Sequence, residues 1–190
     1  MPPKVKVSKQ QIIDAAVGLV RKNGADGINA RAVANVLNCS TQPIFSNFES
    51  MDELRYAVIN VAEALYEQYA KQEIDSGEYP VYKATGMAYI RFAKEEKELF
   101  KLLFMRDRSQ EVIPAFSKTI SDLVQNNTGL NEQSAELFHL EMWAFVHGIA
   151  TILATDYLVL DTALVSAMLT DAYQGLTKRY QEKEERHGSN

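Results

Sequence analysis

The sequence predicts an all-α fold. Three observations carry that expectation. Apolar residues recur at three- and four-residue spacing through most of the chain, no stretch keeps the two-residue alternation of a half-buried strand, and only five prolines and nine glycines interrupt 190 residues. Each interval between these breakers can be read as a helix with a start, an apolar face and a stop.

The first helix is expected to be capped by Ser8 and to run to about Lys22, with Ile12, Ala15, Ala16, Leu19 and Val20 on one face and Gly24 as its stop. A second, short helix follows over about 30–37 and presents Val33, Ala34 and Leu37. Asn38, Cys39 and Ser40 then make a turn, Ser40 or Thr41 caps a third helix of about six residues, and Phe48-Glu49-Ser50 ends it. A long helix opens at Met51, with Ser50 as its cap and Asp52 and Glu53 in the first turn, where negative charge suits the helix dipole. Leu54, Val58, Val61, Leu65 and Tyr69 mark its buried face, and it is expected to end near Asp75. Further helices are expected over about 81–94, 97–105, 112–125, 132–154 and 162–186, with turns at Pro114, at Asn126-Asn127-Thr128-Gly129 and over 156–161. The last helix turns polar after Leu176, so residues 181–190 are expected to fray into solvent.

Composition bounds what such a bundle can do. The 46% hydrophobic share supplies an ordinary globular core and excludes disordered and fibrous classes. One cysteine excludes an internal disulfide, and the amino terminus M-P-P-K-V-K-V-S-K has no apolar region of the kind a secretory signal needs. No stretch is expected to approach the roughly 18 to 20 uncharged apolar residues of a membrane span, so a cytoplasmic protein with no membrane partner is expected. The net charge of -5 hides an asymmetry. Residues 1–50 hold six basic and three acidic residues, a net +3, whereas residues 51–190 hold fourteen basic and twenty-two acidic residues, a net -8. A basic module on an acidic body suits nucleic-acid binding, because phosphates attract one face while the body resists indiscriminate adhesion; a chance fluctuation is the other reading.

Residues 30–47 favour the first reading. They form an apolar short helix, a polar three-residue turn, and a second short helix that offers Thr41, Gln42, Ser46 and Asn47, which is the layout of a helix-turn-helix DNA reader. Gln42 and Asn47 can pair a donor and an acceptor with a base edge, Thr41 and Ser46 can meet bases or phosphates, and the Pro43 ring offers an apolar contact to a thymine methyl. Phe45 can be core or groove-facing, while Ile44, Phe48 and Leu54 are core by periodicity.

The segment A-R-A-V-A-N-V-L-N-C-S-T-Q-P-I-F-S-N-F-E-S-M-D-E-L, residues 30–54, resembles the operator-binding region of TetR-family transcriptional repressors, and I-I-D-A-A-V-G-L-V-R-K-N-G, residues 12–24, is similar to that family's first helix. The resemblance implies an N-terminal three-helix DNA-binding domain over residues 1–50. It also implies a helical effector-binding and dimerisation domain over residues 51–190. It places Thr41, Gln42, Pro43, Phe45, Ser46 and Asn47 at the major groove, with Phe45 where a tyrosine is usual. Arg31, together with the helix-terminal amides beside it, fits a backbone contact. Met51 stands where the family usually has a phosphate-pairing lysine, and Asn38 where a turn glycine is usual, a position asparagine tolerates because it enters positive φ more readily than most residues. The implied partners are double-stranded operator DNA, a second copy of the chain and a small-molecule effector whose identity the sequence does not supply.

In the acidic body, M-W-A-F-V-H-G, residues 142–148, resembles the signature of a TetR branch named for its tryptophan, histidine and glycine, here Trp143, His147 and Gly148; E-L-F-K-L-L-F-M, residues 98–105, is similar to that branch's middle helix. His139, Trp143 and His147 share one helix face, which serves either as an effector-pocket wall or as a buried structural face with hydrogen-bonded histidines. Candidate ligand-binding residues are Tyr66, Tyr89, Phe92 and Leu103, with Phe104, Phe116, Trp143 and His147; the same aromatic residues at helical spacing also read as plain core. The last two helices carry the rows Leu137, Leu140, Ala144, Phe145, Ile149 and Leu164, Ala167, Met168, Asp171, Ala172, Gly175, Leu176, which suit a four-helix bundle between two copies.

Catalysis is not expected. Glu136 and His139 have a di-iron spacing but no second copy of it occurs, Cys39 has no basic neighbour in sequence and reads as a filler beneath the turn, and no phosphate-cradling loop or nucleophile triad is present. Neither a metal nor a cofactor is expected. The sequence thus reads as a homodimeric, DNA-binding, effector-released transcriptional regulator. The alternative is a helical small-molecule-binding module whose DNA reader has decayed.

Overall fold

The structure is a computed structural model and describes residues 7–107 and 118–188. Among the described residues the regular elements are helical: α1 (Lys9–Asn23), α2 (Ala30–Val36), α3 (Gln42–Asn47), α4 (Met51–Ser76), α5 (Val81–Glu95), α6 (Lys97–Phe104), α7 (Lys118–Thr128), α8 (Glu132–Ala154) and α9 (Thr162–Gly188), with one tight 3-10 turn at Ala25–Gly27. Local chemistry sets the ends. Ser8 Oγ accepts from Gln11 N at 3.2 Å while Gln11 Oε1 accepts from Ser8 N at 2.9 Å, so two backbone donors at the start of α1 are satisfied reciprocally. Gly24 ends α1 at φ 74°, where its N–H donates to the Val20 carbonyl at 2.8 Å and a side chain would bring Cβ to 3.0 Å from Glu98 Oε2. Asn38 takes φ 50° in the turn between α2 and α3, the left-handed conformation its replacement of glycine requires.

Contacts divide the chain into two compact units. The first runs to Gln68 and includes Glu95–Arg106. In it α1 packs on α2, α3 and α6, and Ile12, Val20, Val33, Ile44, Phe48, Leu54 and Phe100 are buried to within 2% of complete exclusion. Burying each such side chain stabilises the unit by about 1.5–3 kcal/mol, which is what holds so short a helix as α3 in place. The second unit holds Tyr69–Lys94 and α7 to α9, where α8 packs on both α7 and α9. Its core gathers Val124, Leu130, Ala135, Phe138, Met142 and Tyr180, with Tyr82, Ala172, Tyr173 and Leu176 packed against them. At Gly86 an added Cβ would touch Val146 at 3.5 Å and Leu169 at 3.6 Å, so a glycine there lets α5 lie close to both.

Several expectations shift. α7 does not stop at Gln125 but continues to Thr128, whose hydroxyl bonds the Val124 carbonyl at 2.7 Å, and Gly129 at φ 73° makes the turn instead of Asn126 and Asn127; residues 112–117 of the expected helix lie outside the described residues. The carboxy-terminal segment does not fray at residue 181. Gln181 Nε2 donates to the Thr128 carbonyl at 2.8 Å and Asn131 donates to Glu184 at 2.6 Å, which tie α9 to the end of α7 and the start of α8. Thr41 sits at the start of α3 without making a side-chain cap. The membrane expectation also needs correction: α8 is long and apolar enough to cross a membrane by length and composition, because residues 137–154 carry a single formal charge, Glu141. Packing explains that composition, since α8 lies against α7 and α9 and Glu141 accepts from Arg179 and Tyr180.

Candidate nucleic-acid interface

The sequence of α3 contains little besides what it must bury and what it must show. Ile44 is wholly buried and Phe48, its C-cap, is 2% exposed; on the other side Gln42, Phe45 and Ser46 share a face at three- and four-residue spacing. Phe45 is 54% exposed, which removes the core reading of this residue. Thr41, Pro43, Asn47 and Met51 are half-buried, while Arg31, Gln42 and Ser46 are exposed. The structure therefore brings the predicted groove residues together on one short helix and its flanks, with Arg31 on the first turn of α2.

Hydrogen bonds refine what these side chains can do. Ser46 Oγ donates to the Gln42 carbonyl at 2.9 Å, and Asn47 Nδ2 donates to the Pro43 carbonyl at 2.7 Å, so both spend donors on their own helix. Beside Arg31, the Asn29 side chain accepts from Ala32 N at 2.9 Å, which takes one of the amides that a phosphate would use. Cys39 is half-buried, and its N–H donates to the Ala34 carbonyl at 3.0 Å, within the turn.

The charges around the reader are mostly paired. Lys9 Nζ meets Glu53 Oε1 at 2.9 Å and lies 4.6 Å from the centre of the Phe48 ring. The Lys9 hydrogen bond, and then the Glu49 N–H at 2.7 Å from Glu53 Oε2, hold the Glu53 carboxyl below the usual carboxylate range. Arg55 pairs with Asp52 at 2.8 Å, and Arg21 grips Glu96 with two bonds of 2.8 and 2.7 Å that join α1 to the start of α6. The Lys9–Glu53 pair is not foreseen from the sequence. A lysine directly after the Ser8 cap was the signal, but its partner lies 44 residues away.

The candidate ligand residues fall into two groups. In the first unit the Tyr66 and Phe104 rings meet edge-on at 5.4 Å, Leu103 is buried, and burial pushes the Tyr66 hydroxyl up to about 12. In the second unit Phe92 is buried edge-on against Tyr69 at 5.4 Å, and the buried Tyr89 places its hydroxyl 2.9 Å from His147 Nδ1. Trp143 stacks flat on His147, with ring centres 5.0 Å apart and an interplanar angle of 13°, and remains 46% exposed. His139 is bonded in the same way, by Tyr82 at 2.9 Å, and burial lowers both histidines below the ordinary imidazole value. Gly148 does not belong to this half-buried set: it is exposed, with open space around an added Cβ. Phe116 lies outside the described residues.

Residues 82–173 match the family model of the tetracyclin repressor-like C-terminal domain, a span that contains Trp143, His147 and Gly148. Over 160 residues the chain is 19% identical to YobS, an uncharacterized HTH-type transcriptional regulator of Bacillus subtilis (strain 168), covering 82% of this chain and 84% of that protein. Residues 82–173 thus carry a tetracyclin repressor-like C-terminal domain, and the chain as a whole is similar to an HTH-type transcriptional regulator. Solved structures agree on the fold. A TetR-like transcriptional regulator from Rhodococcus sp. RHA1 aligns with a TM-score of 0.66 at 18% identity, over 93% of this chain and 98% of that one. A multidrug binding protein, EbrR, complexed with imidazole, aligns with a TM-score of 0.57 at 18% identity, over 86% and 93%. The all-helical architecture, with a helix-turn-helix in the first unit, is therefore shared with these solved structures.

Proposed function

We propose that the protein is a homodimeric, sequence-specific DNA-binding transcriptional regulator of the cytoplasm, acting as a repressor that a small molecule releases from its operator. The observation that carries this reading is α3. Six residues bury Ile44 inward and turn Gln42, Phe45 and Ser46 outward, and among the described residues the side-chain hydrogen bond on that face is the Ser46 back-bond. Residues 1–50 form the reader and residues 51–190 the effector-binding and dimerisation part; Arg31, Thr41, Pro43, Asn47 and Met51 flank the groove-facing set.

The outer faces of α8 and α9 support dimerisation. Leu137, Leu140, Trp143 and Leu164 are each 43–47% exposed, and Ala144, Gly148, Ala167 and Gly175 are exposed beside them. A mid-helix glycine costs about 1 kcal/mol relative to alanine. An added Cβ at Gly148 or Gly175 meets nothing within 4 Å of the same chain, so a second copy approaching closely is what makes these glycines useful. Ile149, Ala172 and Leu176 drop out of the expected contact rows, because they are buried or packed against their own unit's core.

For the effector, the Tyr89, His147 and Trp143 set offers a stacked aromatic surface with an imidazole at its centre, and Tyr66 with Phe104 offers a second aromatic surface in the first unit. Both suit a planar, largely apolar molecule. Release is carried along α4, one continuous helix from Met51 to Ser76 that leaves the reader without a linker. A specific observation also supports the alternative of a binding module with a decayed reader: Lys9, Arg21 and Arg55 are all paired to carboxylates of their own unit.

Selection of binding duplexes from a random DNA library, followed by anisotropy on the winner, decides between the two. Enrichment of an inverted repeat bound by two protomers is expected; no enrichment under any salt condition, with a stoichiometric small ligand bound, would establish the decayed-reader alternative.

A further inference from the structure

We propose that Phe45 is a specificity-determining residue of the reader and that it selects a base pair by the 5-methyl group of a thymine. This rests on the DNA-binding reading above and names the chemistry it uses. The hydroxyl of Ser46 gives its donor to the helix backbone at 2.9 Å, and the half-buried Asn47 gives one of its two amide N–H donors at 2.7 Å. What remains outward is one exposed amide, Gln42, and one ring, Phe45, 54% exposed three residues further on.

An exposed phenyl ring makes no hydrogen bond, and its exposure is unfavourable in water. In the major groove the apolar group that base pairs present is the thymine methyl, because the remaining edge atoms are donors and acceptors. A helix rises about 4.5 Å over three residues and successive base pairs about 3.4 Å. Gln42 and Phe45 therefore address neighbouring pairs: Gln42 reads an edge by paired hydrogen bonds, most suitably adenine, and Phe45 covers the methyl beside it. A tyrosine would carry a hydroxyl beyond the ring, whereas phenylalanine ends on carbon and is suited to the methyl.

The test is a deoxyuridine scan of the selected duplex, replacing each thymine in turn and reading affinity by anisotropy, first with the wild-type dimer and then with Phe45→Ala. Deoxyuridine removes the methyl and leaves every hydrogen-bonding atom. The wild type is expected to lose about fourfold at one position in a half-site, and roughly fifteenfold when both half-sites are changed, the scale of burying one methyl per site. Phe45→Ala is expected to bind the thymine and deoxyuridine duplexes equally, close to the wild-type affinity for the deoxyuridine form. Deoxyuridine tolerated at every position by a wild type that binds selectively overturns the methyl assignment and leaves the DNA-binding reading intact. A penalty that survives in Phe45→Ala overturns Phe45 as its source. Failure of the wild type to select any duplex overturns the DNA-binding reading and this inference with it.

Discussion

Replacing Glu53 with glutamine is expected to strengthen DNA binding. The carboxylate holds Lys9 at 2.9 Å, and both side chains are substantially exposed, 52% and 40%, so Lys9 is a cation parked on its own unit at the end of the recognition helix, above Phe48. Glutamine keeps an oxygen for the Glu49 N–H, which Glu53 accepts at 2.7 Å, and so preserves the first turn of α4 while removing the charge that competes with phosphate for Lys9. Each phosphate newly neutralised steepens the dependence of log K on log salt by about 0.9. Two protomers give a slope steeper by about 1.8, so lowering salt from about 200 to about 50 mM raises the affinity of Glu53→Gln roughly tenfold more than that of the wild type. Anisotropy titrations across that range on one selected duplex measure it. An unchanged slope refutes the reasoning. So does the same gain in a Lys9→Ala background, which would trace the effect to lost repulsion from the carboxylate and not to a released lysine.

Further outcomes test separate parts of the account. Gln42→Ala should relax preference at one base pair per half-site, with about 1–3 kcal/mol of discrimination lost in competition titrations against mismatched duplexes. Asn38→Ala should lower stability by about 1–2 kcal/mol and Asn38→Gly should not, because only alanine is strained at φ 50°; equal losses in chemical denaturation would show that the turn does not depend on that conformation. Gly148→Glu adds a good helix former where an added Cβ meets nothing, yet should yield monomers in sedimentation and weaken DNA binding; a stable dimer would move the interface elsewhere. Because burial lowers His139 and His147, the folded protein binds fewer protons than the unfolded one below about pH 6.5. Their contribution to stability is complete above that value and is lost as pH falls through the lowered values. The melting temperature should therefore drop on acidification, less steeply in a His139→Gln, His147→Gln variant; identical profiles would refute the assignment.

Most of the helical layout was legible because each boundary has a local cause. Ser8, Gly24, Ser50 and Asn131 act through groups within four residues, and α8 begins and ends at the expected positions, Glu132 and Ala154. Misreadings arose where the cause is distant. Gln181 and Glu184 look like solvated tail residues until Thr128 and Asn131, 53 positions earlier, are seen to bond them. α8 has two apolar faces, one buried in its own unit through Phe138, Met142 and Ile149 and one exposed through Leu137, Leu140 and Ala144, and a pattern of residue types does not say which face belongs to which neighbour. Ile149 was assigned to the outer row for that reason.

The reader shows the same limit at the scale of single atoms. The type of side chain was readable at Gln42, Ser46 and Asn47, but the commitment of its donors was not. Serine four residues after Gln42 and asparagine four residues after Pro43 are each placed to bond the carbonyl one turn back, and both do. The consequence is a change in what the interface recognises. A set of four polar residues suggests a dense hydrogen-bond code, whereas the folded helix presents one exposed amide beside one exposed ring, with Lys9 and Arg55 held by carboxylates. In the proposed dimer, affinity then comes from two copies acting together and from apolar fit as much as from charge. That is why a weak salt dependence in the wild type, rising when Glu53 is neutralised, is the signature expected of this reader and not of one built on free lysines.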